Sequence, residues 1–372
     1  MAKSVYIHIP FCVRICTYCD FNKFFIANQP VDEYLDCLIK EMSTRKDKVV
    51  ETIFVGGGTP TALSEVQLEK LLISINDLFT VTDEYTFEAN PDELTEGKIQ
   101  LLKKYGVNRL SLGVQTFDDG LLEILGRTHH SDDIEKAVKL SRKHNIGSVS
   151  LDLMFHLPGQ TLKQFDESID KALSLDVDHI SSYALILEPK TQFYNLYRKG
   201  KLKLPNEDLG EEMYQHLQNK LKKSPLHQYE ISNFSKVGHE SLHNKVYWKN
   251  EEYYGFGAGA HGYINGVRYS NINPVNQYIN KLTNGEMPVL QNSEVTLKEQ
   301  MEEQMFLGLR MTEGVSKSRF YKKFDQTIEE VFGQKVNNLL ENGLLNENED
   351  YLYLSERGQI IGNEVFEQFL LT

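Results

Sequence analysis

The sequence predicts an α/β protein built on a parallel sheet, and three observations carry that reading. Short apolar runs end in turn chemistry, amphipathic helical periodicity separates them, and unusual polar or glycine residues gather at their C-terminal ends. The strand candidates in order are VYIHI (5–9), TIFV (52–55), YTFEA (85–89), RLSLGVQ (109–115), VSLDLMF (149–155) and HISSYALIL (179–187). Between them, Leu35, Leu38, Ile39 and Met42 recur at helical spacing, as do Leu68, Leu71, Leu72, Ile75, Leu78 and Phe79. Such alternation means βαβ units, either a doubly wound sheet or part of a (β/α) barrel. Barrel sites form at the C-terminal face of the sheet from several strands. A cysteine cluster, Gly56-Gly57-Gly58-Thr59, Glu88 and Gln115 all fall there, and Asp152 lies within the fifth run.

After about residue 190 the alternation fades. Residues 206–223 read as one helix, and YINGVRY (263–269) reads as a hairpin, because Asn265-Gly266 suits a type I′ turn. From about 294 the pattern is helical, then two short apolar runs flank the polar turn Asn346–Asp350 like the wing of a winged-helix module. A chain of 372 residues exceeds one comfortable core, so a large domain with at least one smaller partner is expected. With 40 basic and 53 acidic residues the net charge is −13, a poor general polyanion binder. No run approaches the roughly 20 apolar residues of a membrane span, and the N-terminus shows no secretory pattern. A cytoplasmic, reducing location is therefore expected, where clustered cysteines bind metal rather than form disulfides.

Cys12, Cys16 and Cys19 follow the spacing C-x-x-x-C-x-x-C directly after the first strand. Structural zinc usually takes four ligands in paired half-sites, and no second C-x-x-C is present. Three thiolates suit a 4Fe–4S cluster with one iron left open to the amine and carboxylate of a small molecule. Spacing alone leaves two plainer readings: zinc with His8 as fourth ligand, or buried structural cysteines.

The stretch YIHIPFCVRICTYCDF (6–21) resembles the radical S-adenosylmethionine (SAM) superfamily, in its coproporphyrinogen III dehydrogenase-like branch. FVGGGTPT, LSLGVQTF, LDLMFHLPGQ, HNKVYW and GFGAGAHG extend the resemblance over nearly the whole chain. It implies a partial (β/α)6 TIM-like barrel in residues 1–190, an α/β extension in 191–290 and a winged-helix-like domain in 291–372. It further implies a 4Fe–4S cluster on Cys12, Cys16 and Cys19, with SAM on the open iron. SAM contacts would come from Tyr6, Tyr18, Gly57, Gly58, Thr59, Glu88, Gln115, Arg127 and Asp152. Tyr18 would pack on adenine, Glu88 would accept from the ribose hydroxyls, and the glycines would admit the methionine amine. Such a site permits one-electron reduction of SAM to methionine and a 5′-deoxyadenosyl radical. Eleven residues before Cys12, Phe21 two positions after Cys19, and the HNxxYW motif His243–Trp248 resemble the haem-chaperone members of the branch. Their role is to bind haem and pass it to acceptors, membrane-associated respiratory enzymes among them, from the cytoplasm or the membrane periphery. The alternative is an oxygen-independent coproporphyrinogen III oxidase, although such turnover is not expected here.

His243 and His261 are the candidate haem contacts, since neutral imidazole is a standard axial ligand. Trp248, Tyr247, Tyr253, Tyr254 and Phe256 could stack on a flat macrocycle, although aromatics more often pack in cores. His129, His130 and the other histidines read as surface or capping residues, and Cys37 as an inert packed thiol. Gly257–Gly262 matches G-x-G-x-x-G, but a hairpin follows where a dinucleotide site needs a helix, so that reading is rejected. Lys317, Arg319, Lys322 and Lys323 read as a solvated face, and no nucleic-acid partner is expected.

Overall fold

The structure, a computed structural model, describes residues 2–45 and 47–371. Six parallel strands follow one another: β1 (Ser4–Ile9), β2 (Val49–Gly57), β3 (Thr80–Ala89), β4 (Arg109–Gln115), β5 (Ser148–Phe155) and β6 (His179–Ala184). Helices occupy every connection, including Val31–Met42, Glu65–Leu78, Glu96–Lys104, Ser131–Lys143 and Leu162–Ser174. β2 and β3 start earlier than their apolar runs: exposed Val49 and buried Val50 already pair with Thr80 and Val81, ahead of the polar Glu51 and Thr82–Glu84 that interrupt the hydropathy pattern. Pairing there needs only backbone groups, so hydropathy does not mark it.

The sheet continues past both ends of this series. β7 (His227–Glu230) and β8 (Asn233–Ser235) add antiparallel beyond β6, while β9 (Tyr253–Phe256) adds parallel outside β1. β10 (His261–Ile264), β11 (Val267–Asn271) and β12 (Val289–Glu294) then complete an order β12-β11-β10-β9-β1-β2-β3-β4-β5-β6-β8-β7. Seven strands are thus parallel rather than the expected six, and the barrel stays open, with β12 and β7 at its edges. The β10–β11 hairpin turns at Asn265 (φ 51°) and Gly266 (φ 75°), as the Asn-Gly pair predicts.

Strand alternation separates two faces. Val5, Ile7, Ile53, Val55, Phe87, Leu110, Leu112, Val149, Leu151 and Ile180 face the helices and are fully buried in the main core. The other face carries Glu84, Thr86, Glu88, Arg109, Ser111, Ser150, Asp152, His179 and Ser181. These lumen groups largely satisfy one another, as where Ser111 donates to Asp152 and Ser150 meets His179.

The C-terminal domain has its own core, with Met305, Phe320, Phe332, Leu352 and Phe369 buried together. It packs helices Leu297–Gly308, Lys317–Phe324 and Ile328–Glu341 beside a sheet of Val315–Ser316, Leu345–Glu347 and Tyr351–Leu354. The last two strands form the expected wing. Thr296 and Thr327 start two of these helices with capping boxes. A backbone bridge Glu230↔Met311 and the Thr312 N–H on the Tyr229 carbonyl (3.0 Å) tie the domain to the sheet. Lys317 pairs with Glu347 and Lys323 with the Asn250 carbonyl and Gln304, so the basic helix is tied into its own surroundings.

Candidate functional site

β1 gives way at Pro10 to a two-residue strand, Phe11–Cys12, which pairs with Phe24–Phe25 and pinches the base of the intervening loop. Cys12 is buried at that pinch, and Cys16 and Cys19 sit half-buried on the loop. All three border one cavity of about 150 Å³ at the C-terminal mouth of the barrel. Burial pushes the Cys12 thiol up to about 12, opposed by the Thr59 hydroxyl donating to its sulfur at 3.7 Å. Arg127 donates to Cys16 Sγ at 3.5 Å and to Asn90 Oδ1 at 2.7 Å. Burial alone would weaken the Arg127 charge, but Tyr18 and Cys16 raise its pKa above the usual value. The guanidinium is thereby fixed between the Cys16 sulfur and the Asn90 side chain.

His8 has both ring nitrogens engaged, with the Tyr6 hydroxyl (2.9 Å) and the Asn22 carbonyl (2.8 Å). Among the described residues no three His, Cys, Asp or Glu side chains converge on a single-ion position. The zinc alternative loses its fourth ligand, while a cluster spreads its thiolates over a cube and fits a set of three.

The same cavity is bordered by Tyr18, Gly57, Gly58, Thr59, Glu88, Gln115, Arg127 and Asp152. Glu88 Oε2 accepts the Gly57 N–H at 3.0 Å, and burial with the nearby Asp152 charge pushes its carboxyl up to about 7. Asp152 has no direct arginine partner; Ser111 donates to its two oxygens at 3.0 Å, and burial raises its pKa. Gln115 ends β4 with φ 66°, a left-handed non-glycine conformation of the kind that clusters at ligand sites. The glycine run has a second reason beyond ligand access. Gly57 has φ 115°, and a Cβ there would lie 2.4 Å from the His8 ring. Of the expected contacts, one has a second role and one lies outside this cavity. Tyr18 also packs its ring on an apolar cluster containing Leu121, Leu125 and Phe193. Tyr6 lies in a neighbouring cavity.

That neighbour, of about 380 Å³, shares Phe21 with the first and is bordered by Tyr6, Tyr247, Tyr253 and His261. Its walls Tyr247 and Tyr253 continue into a third space of about 390 Å³ that adds Trp248, Tyr263, Arg268 and Phe306. Together they form a groove leading away from the cysteine loop. His261 presents an exposed ring to it, and burial followed by the Arg268 charge lowers its pKa, so the imidazole is neutral. His243 corrects the sequence expectation: it is fully buried, with Nδ1 on Thr52 Oγ1 and Nε2 on the Tyr247 hydroxyl, each at 2.8 Å. No ring nitrogen is free for iron. Phe256 is likewise core, and Tyr254 turns with it away from Tyr253, to stack under Arg45. His129 and His179 are buried rather than superficial, whereas His130 caps helix Ser131–Lys143. Cys37 is the packed thiol expected.

Several supporting residues escaped the sequence reading. Asn22 donates to the Ala258 carbonyl (2.8 Å) and stitches the cysteine loop to the second glycine-rich segment. There Gly257 has φ 102°, and a Cβ would meet the His8 carbonyl at 2.6 Å, so this segment passes close to β1. Buried Glu84 accepts from the Leu242 and His243 N–H groups (2.8 and 3.2 Å), bolting helix Leu242–Trp248 to the barrel. A charged residue amid the β3 pattern was the available signal.

Residues 6–172 match the radical SAM superfamily model, and 295–361 match the HemN C-terminal domain. The chain is 52% identical over 99% of both lengths to the protein named heme chaperone HemW of Bacillus subtilis (strain 168). It is 43% identical to that of Lactococcus lactis subsp. lactis, covering 99% of this chain and 97% of the relative. The chain belongs to the HemW family of radical SAM proteins. The fold of this HemW-family chain is that of coproporphyrinogen III oxidase (HemN) from Escherichia coli, with TM-score 0.87 at 22% identity, over 99% of this chain and 90% of the other. No helix among the described residues of this HemW-family chain is long and apolar enough to cross a membrane.

Proposed function

We propose that this protein is a haem chaperone that carries a 4Fe–4S cluster on Cys12, Cys16 and Cys19 with SAM on the open iron. Haem then binds in the adjacent groove and passes from there to an acceptor protein. The observation that carries the reading is His261: a neutral, solvent-facing imidazole in an aromatic groove that shares Phe21 with the cysteine cavity. Full-length likeness to relatives named for haem chaperoning supports it. Bound there, cluster and SAM supply one-electron chemistry. The chain's own residues hold the site: Arg127 keeps a cation beside Cys16, and Thr59 donates to Cys12. Gln115, Glu88 and Asp152 offer polar groups to a nucleoside, while Tyr6 orients His8.

Anaerobically reconstituted protein titrated with hemin should develop a saturable Soret band, and His261→Ala should weaken binding at least tenfold while leaving cluster absorbance intact. Offered coproporphyrinogen with SAM and a reductant, it should form no protoporphyrinogen. Robust formation would replace chaperoning with the oxidase reading.

A further inference from the structure

Arg268 sits on β11 directly opposite Tyr263 of β10, and Tyr263 lies two residues along the same strand face from His261. It is the one cation among the described residues around the third space of the groove. Its guanidinium grips Glu303 of the C-terminal domain with both prongs, Nη1 to Oε1 at 2.7 Å and Nη2 to Oε2 at 3.0 Å. Glu303 is nearly buried, with 12% of its side chain exposed, whereas Arg268 is 41% exposed and stacks over Tyr263 at 5.4 Å.

The groove therefore offers an imidazole at one end, aromatic walls between, and a forked cation at the other. That order matches a metal-centred flat macrocycle with carboxylates on one edge. We infer that Arg268 anchors a propionate of the bound macrocycle and that Glu303 occupies this position until the ligand displaces it. A guanidinium fork prefers a planar carboxylate, and Glu303 shows the geometry such a guest would take. Exchange leaves Glu303 without its partner, so ligand entry loosens one tie between the sheet and helix Leu297–Gly308.

This inference rests on the haem reading, and hemin compared with its dimethyl ester separates the two. Wild-type protein should bind hemin at least tenfold more tightly than the ester. Arg268→Gln should abolish that preference by weakening hemin alone, and Arg268→Lys, which keeps the charge without the fork, should fall between. Glu303→Gln frees the guanidinium and should tighten hemin several-fold, a gain that misfolding cannot produce. Equal affinity of the wild type for both ligands, or an Arg268→Gln titration that matches wild type, overturns the inference while sparing the haem reading. No binding of either ligand overturns both.

Discussion

Glu88 makes the protein's stability depend on pH in a way that one substitution isolates. Its carboxyl lies in the barrel lumen, where burial and the Asp152 charge raise it from an ordinary 4.5 to about 7. Below pH 4.5 it is neutral whether the chain is folded or not. Between 4.5 and 7 the unfolded chain ionises while the folded one holds its proton, so stability falls as pH rises; above 7 the loss is complete. That difference corresponds to about 3 kcal/mol. Glu88→Gln keeps an acceptor for the Gly57 N–H and removes the titration. Unfolding free energies of metal-free protein from urea titrations between pH 5 and pH 8 should fall more steeply for wild type than for Glu88→Gln, by about 2.5 kcal/mol over that range. Parallel curves for the two would show that Glu88 is solvated, and the picture of a buried lumen carboxylate would be wrong.

His243→Ala empties a fully buried ring position and strands the Thr52 and Tyr247 hydroxyls. It should cost about 3 kcal/mol in urea unfolding, yet leave hemin affinity of the folded protein within about twofold. Gly57→Ala forces a methyl into the His8 ring at a left-handed φ. It should destabilise by about 2 kcal/mol or more and lower iron incorporation, read by unfolding and by metal analysis.

The parallel strands were legible because their helix-facing positions are apolar and their lumen positions are not: Leu110 and Leu112 alternate with Arg109, Ser111 and Gly113. β9 was missed, since Tyr253–Phe256 is four residues long and contains a glycine, and its place beside β1 is fixed by residues more than 240 positions away. The cysteine loop was legible from spacing, and the polar residues at strand ends from their chemistry. The sequence could not show which histidine is accessible. His243 carries the more conspicuous motif, but its own ring is internal, holding helix Leu242–Trp248 against Thr52, while Tyr247 and Trp248 of the same motif border the groove. His261 stands in a glycine-rich stretch with no local signal, and only the sheet topology brings it beside Tyr6. Arg268 and Glu303 lie 35 residues apart on different domains, and their pairing is a product of docking rather than of pattern.

The claim on which everything else depends is that three thiols hold an iron cube. Iron and acid-labile sulfide counted per chain after anaerobic purification and reconstitution should each approach about four, and fall to near zero when Cys12, Cys16 and Cys19 are replaced by serine. Stoichiometric zinc, or a full iron complement retained by the triple variant, would contradict it.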